Sequence, residues 1–77
     1  PGFTATERLD NLAAATSART GASTEAIFAG WANESPLGRV GRADELAAVI
    51  TFLCSVRAGF MTGQAVLVDG GAVKSLL

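Results

Sequence analysis

The sequence contains no histidine and no tyrosine, and its single lysine is Lys74. Histidine-dependent nucleophilic triads are therefore excluded, and so is a Tyr–Lys acid/base pair. Any catalysis has to borrow groups from elsewhere, so no catalytic residue is assigned. One cysteine, Cys54, cannot close an internal disulfide, and without histidine it cannot build a zinc site. No metal ligand set is assigned, and cytoplasmic residence is the simplest reading. Charge is also scarce, at 17% of residues, with six basic against seven acidic side chains and a net charge of -1. No basic patch supplies the phosphate neutralisation that nucleic-acid binding requires, so nucleic acid is not expected as a partner. The longest nearly apolar stretch, residues 46–54, is too short to cross a bilayer. Pro1-Gly2-Phe3-Thr4 lacks the basic start and apolar run of a signal peptide.

What is present is apolar. Hydrophobic residues make up 49% of the 77 positions, and mean hydropathy is +0.38. That composition argues against disorder. A chain of this length buries only roughly 60–65% of its surface on folding, too little to hide so many apolar side chains. Part of the apolar surface is expected to meet another chain, or the sequence is expected to belong to something larger. The missing initiator Met points the same way.

Four elements are predicted. A helix over residues 5–19 opens on Thr4-Ala5-Thr6-Glu7, which fits a capping box with Thr4 as the cap. Leu9, Leu12, Ala13 and Thr16 share one face of it, and Gly21 closes it. A second helix, 24–33, has Ser23 as its cap and a stripe of Ile27, Phe28 and Trp31; Pro36 ends the segment. After a loop at 35–41, a third helix over 43–55 is apolar nearly all round, which implies burial on more than one side. Ala65-Val66-Leu67-Val68 marks a strand over 64–69 whose continuous apolar run suits a sheet covered on both faces. A strand forms no sheet alone, so its neighbours are expected upstream of Pro1 or in another molecule.

With these elements in place, the sequence resembles the short-chain dehydrogenases/reductases. Pro1-Gly2-Phe3-Thr4-Ala5-Thr6 is similar to that family's P-G-x-x-x-T segment. Pro36-Leu37-Gly38-Arg39, Glu45 with the helix ending Phe52-Leu53-Cys54-Ser55, Thr62-Gly63-Gln64 and Val68-Asp69-Gly70-Gly71 then follow in the family's order. The 3-oxoacyl-acyl-carrier-protein reductase-like branch is the nearest in flavour. The resemblance implies an α/β fold, the C-terminal part of a Rossmann-like doubly wound parallel sheet, here mostly helical with three helices and one terminal strand. It divides the chain into a nicotinamide-side loop (1–6), a helical substrate lid (7–35), and a loop, oligomerisation helix and last strand (36–77). It also implies hydride transfer between NAD or NADP, which the sequence does not distinguish, and a carbonyl or secondary alcohol. The catalytic groups would lie upstream of Pro1, and this chain alone would be inactive. Homodimers or homotetramers through helix 43–55 and strand 64–69 follow from the same resemblance. The contrasting reading is a truncated, catalytically dead product that acts as a homo-association module.

The resemblance assigns Pro1, Gly2, Thr4 and Thr6 to the cofactor, with Thr4 as helix cap and Thr6 as ligand. Gly2 leaves room for a ring over the backbone. Phe28 and Trp31 fall in the lid segment, although the same stripe equally serves to pack the helix on its neighbours. Four other residues read as structural. Arg39 is expected to pair with an acidic residue such as Glu45 or with a backbone carbonyl, and Asp69 to end a strand in a turn. Cys54 is expected to pack inside the third helix, and Lys74 belongs to the tail.

Overall fold

The computed structural model describes residues 1–74. Its framework is a parallel pairing of two very short strands, β1 (Thr4–Ala5) and β2 (Gly41–Arg42), with Thr4 opposite Gly41 and Ala5 opposite Arg42. The Gly41 amide donates to the Phe3 carbonyl at 2.8 Å and sets the register. Parallel strands need a crossover. Here it is a helical hairpin of α1 (Glu7–Thr20) and α2 (Thr24–Asn33). A third helix, α3 (Ala43–Leu53), leaves β2 without a linker, and a 3₁₀ turn follows at Val56–Ala58.

The three expected helices are present, but the first is capped differently. Thr6, not Thr4, is its N-cap: its side chain accepts from the Leu9 amide at 3.3 Å. Thr4 and Ala5 are held in β1, so helical geometry cannot begin before Thr6. The Thr4 hydroxyl instead donates to the Gly2 carbonyl at 3.0 Å. Gly21 closes α1 in the left-handed conformation (φ 77°), its amide donating to the Ser17 carbonyl. Ser23 caps α2 through the Ala26 amide at 3.1 Å. The third helix ends at Leu53 rather than residue 55, and Cys54 at its end is exposed, not packed inside.

The expected strand over 64–69 is not formed among the described residues. A ladder needs a second extended segment alongside, and here, among the described residues, the one backbone bond to it from outside its own turn runs from the Gly2 amide to the Val68 carbonyl at 2.9 Å. Val66 and Leu67 are left exposed.

Burial is correspondingly thin. Leu9, Ala13 and Ala58 are the buried apolar residues, and α2 and α3 contain no buried residue. The chain exposes 5949 Å², whereas a compact protein of this mass exposes about 4,400 Å². Its radius of gyration is 15.0 Å, against about 11.5 Å for a compact chain of this length. The apolar excess read from composition is thus open on the surface, at Ile50, Phe52, Leu53, Val56 and Phe60. α3 was expected to be covered on more than one side; within the described residues it is not.

Candidate functional site

Pro1, Gly2, Thr4 and Thr6 line one concavity of about 380 Å³, together with Phe3 and Arg8. Its remaining wall is apolar: Leu9 and Leu12 from α1, and Ala43, Leu46, Ala47 and Ile50 from α3. The local sequence explains the arrangement. β1 fixes Thr4, α1 begins immediately after Thr6, and α3 starts directly from the partner strand, so both helices flank the loop.

The polar groups on this lining differ in what they have left to offer. The Thr4 hydroxyl proton is engaged by the Gly2 carbonyl, and the Gly2 amide by Val68. The Thr6 oxygen accepts from Leu9, which leaves its own proton free to donate outward. Glu7 and Arg8 occupy the first turn of α1, where amides have no intrahelical acceptor. Arg8 is the one charged side chain on the lining. The site offers donors beside an apolar wall and no acid/base group.

Gly2 has a structural reason of its own. A Cβ at this position would lie 2.8 Å from both Cα and Cβ of Asp69, so the first loop and the Val68–Asp69 backbone approach as closely as a glycine permits.

A second concavity of about 490 Å³ lies between Phe3, Thr4, Trp31, the loop after α2 and residues 67–72. Trp31 lines it and stacks on Phe3, with ring centroids 5.0 Å apart and planes 18° apart. Phe28 meets Trp31 edge-on at 5.1 Å and 75°. Phe28 borders neither of these two concavities.

The base of this region is a joint between two sequence landmarks. Ser35, which is buried, donates to the Gly70 carbonyl at 2.9 Å, and its oxygen accepts from the Leu37 amide at 3.2 Å. Pro36 sits where a Cβ on Gly71 would fall, 3.2 Å from Pro36 Cγ. Gly70 and Gly71 have φ of 61° and 87°, in the region that favours glycine. Asp69 closes the turn: Oδ1 accepts from the Gly71 amide and Oδ2 from the Val73 amide, both at 2.9 Å. Those bonds, Val73 first, lower its carboxyl below the usual carboxylate range. The turn-forming role read for Asp69 is what the structure shows.

Arg39 and Glu45 form the expected pair, bidentate at 2.6 and 2.8 Å. Glu45 also accepts from the Arg42 amide at 2.9 Å, so it caps α3 in place of an N-cap side chain. The Arg39 guanidinium, followed by the Arg42 amide, lowers the Glu45 carboxyl to about 2, and the Arg39 pKa is raised in turn. Arg42 is drawn to Asp44 at 3.1 Å. Neither arginine is left as a free anion binder.

Three residues that the site uses were missed in the sequence. Phe3 and Arg8 flank the four assigned positions and were readable as neighbours of the motif. Ser35 carried no signal, because a serine before proline ordinarily marks only a turn.

Comparison with known proteins shows the chain's relatives. A family model described as Enoyl-(Acyl carrier protein) reductase matches residues 11–73. Short-chain reductase protein NovJ of Streptomyces niveus is 38% identical over 71 residues, which is 92% of this chain and 26% of that protein. NADPH-dependent reductase BacG of Bacillus subtilis (strain 168) is 37% identical over 76 residues, 99% of this chain and 29% of that protein. A tropinone reductase homologue of Arabidopsis thaliana is 48% identical over 40 residues, 52% of this chain and 15% of that protein. The chain belongs to the short-chain dehydrogenase/reductase family, and its helices and parallel strand pair are part of that family's Rossmann-like α/β fold. It spans about a quarter of the length of the first two of these curated relatives.

Proposed function

We propose that this chain forms the nicotinamide-side part of an oxidoreductase that moves hydride between NAD or NADP and a carbonyl or secondary alcohol. One observation carries the reading: the four residues singled out in the P-G-x-x-x-T segment gather on one concavity whose free donors and apolar wall suit a nicotinamide ring. The cofactor supplies the hydride. The chain's own residues bind and orient: Thr6 donates its free hydroxyl proton to the carboxamide or a phosphate, and the first amides of α1 favour an anion. Thr4 contributes by locking the Gly2 carbonyl rather than as a direct donor. Acid/base groups come from outside these 77 residues, so the chain alone is inactive. A place near the 3-oxoacyl-acyl-carrier-protein reductases, and residence in the cytoplasm, complete the reading. The hairpin that bears Phe28 and Trp31 covers the substrate.

Association is the second element of the proposal. The exposed Ile50, Phe52 and Leu53 of α3, with Val66 and Leu67, favour a homodimer or homotetramer through residues 43–55 and 64–69. A homo-association module without catalysis would use the same surface.

Fluorescence titration of the full-length protein with NADPH and NADH tests the cofactor reading. Saturable binding of one nucleotide is expected. Thr6→Ala is expected to weaken it about 5- to 20-fold, about the worth of one to two hydrogen bonds, while Thr6→Ser retains it. Unchanged affinity in Thr6→Ala would remove Thr6 from the site.

A further inference from the structure

We propose that Arg8 is an anion-binding residue that grips the pyrophosphate of the dinucleotide. This deepens the cofactor reading above and rests on it. Arg8 lines the same concavity as Pro1, Gly2, Thr4 and Thr6, on a wall otherwise built from small, hydroxyl and apolar side chains. Among the described residues it takes part in no ion pair. The sequence around it supplies none. On a helix, residues three and four apart face each other, whereas those one and two apart do not. Glu7 and Asp10 are one and two positions away and so lie on other faces of α1. Asn11 and Leu12, three and four positions on, carry no charge, and Thr4 and Ala5 on the other side belong to β1.

Helix stability gives no reason for a cation at this position. Arg8 stands in the first turn of α1, at the positive end of the helix dipole, where Glu7 and Asp10 are favourable and a guanidinium is not. The other cations differ from it. Arg39 and Arg42 line the second concavity, but both are drawn to carboxylates. Arg19, Arg57 and Lys74 line neither concavity. Among the described residues, Arg8 is thus the one cation that lines a concavity without a carboxylate beside it. A guanidinium fork matches two oxygens of a phosphate. A nicotinamide dinucleotide carries its pyrophosphate one ribose away from the ring. With the ring at Pro1 and Gly2, the phosphates fall to the part of the lining that follows, where the Thr6 hydroxyl and Arg8 are the donors. The apolar side chains of Leu9, Leu12 and Ile50 on the same wall limit the water that competes for the charge.

Calorimetric titration of the full-length protein with NADPH, NADH and ADP-ribose, at low and at high salt, reads this out. ADP-ribose keeps both phosphates and lacks the nicotinamide. Arg8→Met is expected to weaken the nucleotide and ADP-ribose alike, about 5- to 30-fold at low salt, the range of a charge-assisted hydrogen bond in partly exposed surroundings. Salt is expected to weaken binding more steeply in the wild type than in Arg8→Met. Arg8→Lys keeps the salt dependence but recovers only part of the affinity, because it has the charge without the fork. Arg8→Gln serves if Arg8→Met fails to fold. Nucleotide and ADP-ribose affinities within about twofold of wild type, the effect of a solvated surface charge, would overturn the role of Arg8. So would a loss for the nucleotide with none for ADP-ribose, which would put Arg8 at the ring, or a wild type that binds nucleotide but not ADP-ribose. A rise in substrate KM with both affinities unchanged would assign Arg8 to an anionic substrate and equally overturn the phosphate grip. A wild type that binds none of the three would instead overturn the cofactor reading, and the role of Arg8 with it.

Discussion

Around Ser35 and Gly70 the chain is tied by polar and backbone contacts, whereas over residues 50–67 most of the large apolar side chains stay half or fully exposed. In the first region a buried serine, two left-handed glycines and a doubly bonded Asp69 lock one loop to another, 35 positions apart in sequence. Directional bonds specify that geometry without a large core. In the second region the sequence is richer in hydrophobic residues, yet Val56 and Phe60 are fully exposed. Hydrophobic stabilisation is proportional to area removed from water, so these side chains contribute little until another surface covers them. The comparison separates the contacts that the described residues make among themselves from the apolar surface that they leave open.

The sharpest way to break that comparison is Phe60→Ala in the full-length protein. If Phe60 is covered there, the substitution is expected to cost about 3–5 kcal/mol by denaturant unfolding. A change within about 0.5 kcal/mol would mean that the ring stays in water and that no surface meets it. Gly70→Val tests the other region. It places a branched side chain at a left-handed φ and against Ser35, and a loss of about 2–4 kcal/mol is expected. Ser35→Ala is milder. It strips the part-buried Gly70 carbonyl of its donor, with an expected cost of about 1–3 kcal/mol. A neutral Ser35→Ala would show that the loops are held by packing of Pro36 on Gly71 rather than by the hydroxyl.

The smallest effect is electrostatic. The Glu45 carboxyl is lowered from 4.5 to about 2. A depressed folded-state pKa contributes stability that is fully present above the ordinary value and is lost as pH falls toward the folded value. Thermal unfolding between about pH 5 and pH 2 is expected to show a steeper decline in the wild type than in Glu45→Gln, which keeps the contribution of the lowered Asp69 carboxyl. Parallel declines would mean that the Arg39–Glu45 pair is broken in solution.

The same contrast explains what was legible in the sequence. Helix α2 and its Ser23 cap were readable because both are local: a capping serine, a stripe at helical spacing and a proline stop. The start of α1 was misread because Thr4-Ala5-Thr6-Glu7 fits a cap on local grounds, and only the distant Gly41–Arg42 pairing withdraws Thr4 from that role. Two-residue strands leave no periodicity, so β1 and β2 could not be foreseen. The run Ala65-Val66-Leu67-Val68 has strand composition, but strand formation depends on a neighbour that composition does not supply. Of the candidate site, the four motif residues were named from the resemblance, and the role of Arg39 was readable from charge and spacing. The Ser35 joint and the Phe3–Trp31 stack depend on contacts between segments about 30 residues apart, which no local pattern encodes.

The most direct test of the central claim is a crystal structure of the full-length protein with NADPH or NADH bound. The account predicts the nicotinamide ring against Pro1 and Gly2, with the Thr6 hydroxyl within hydrogen-bond distance of its carboxamide or of a phosphate. A nucleotide bound with no contact to residues 1–6 would contradict it.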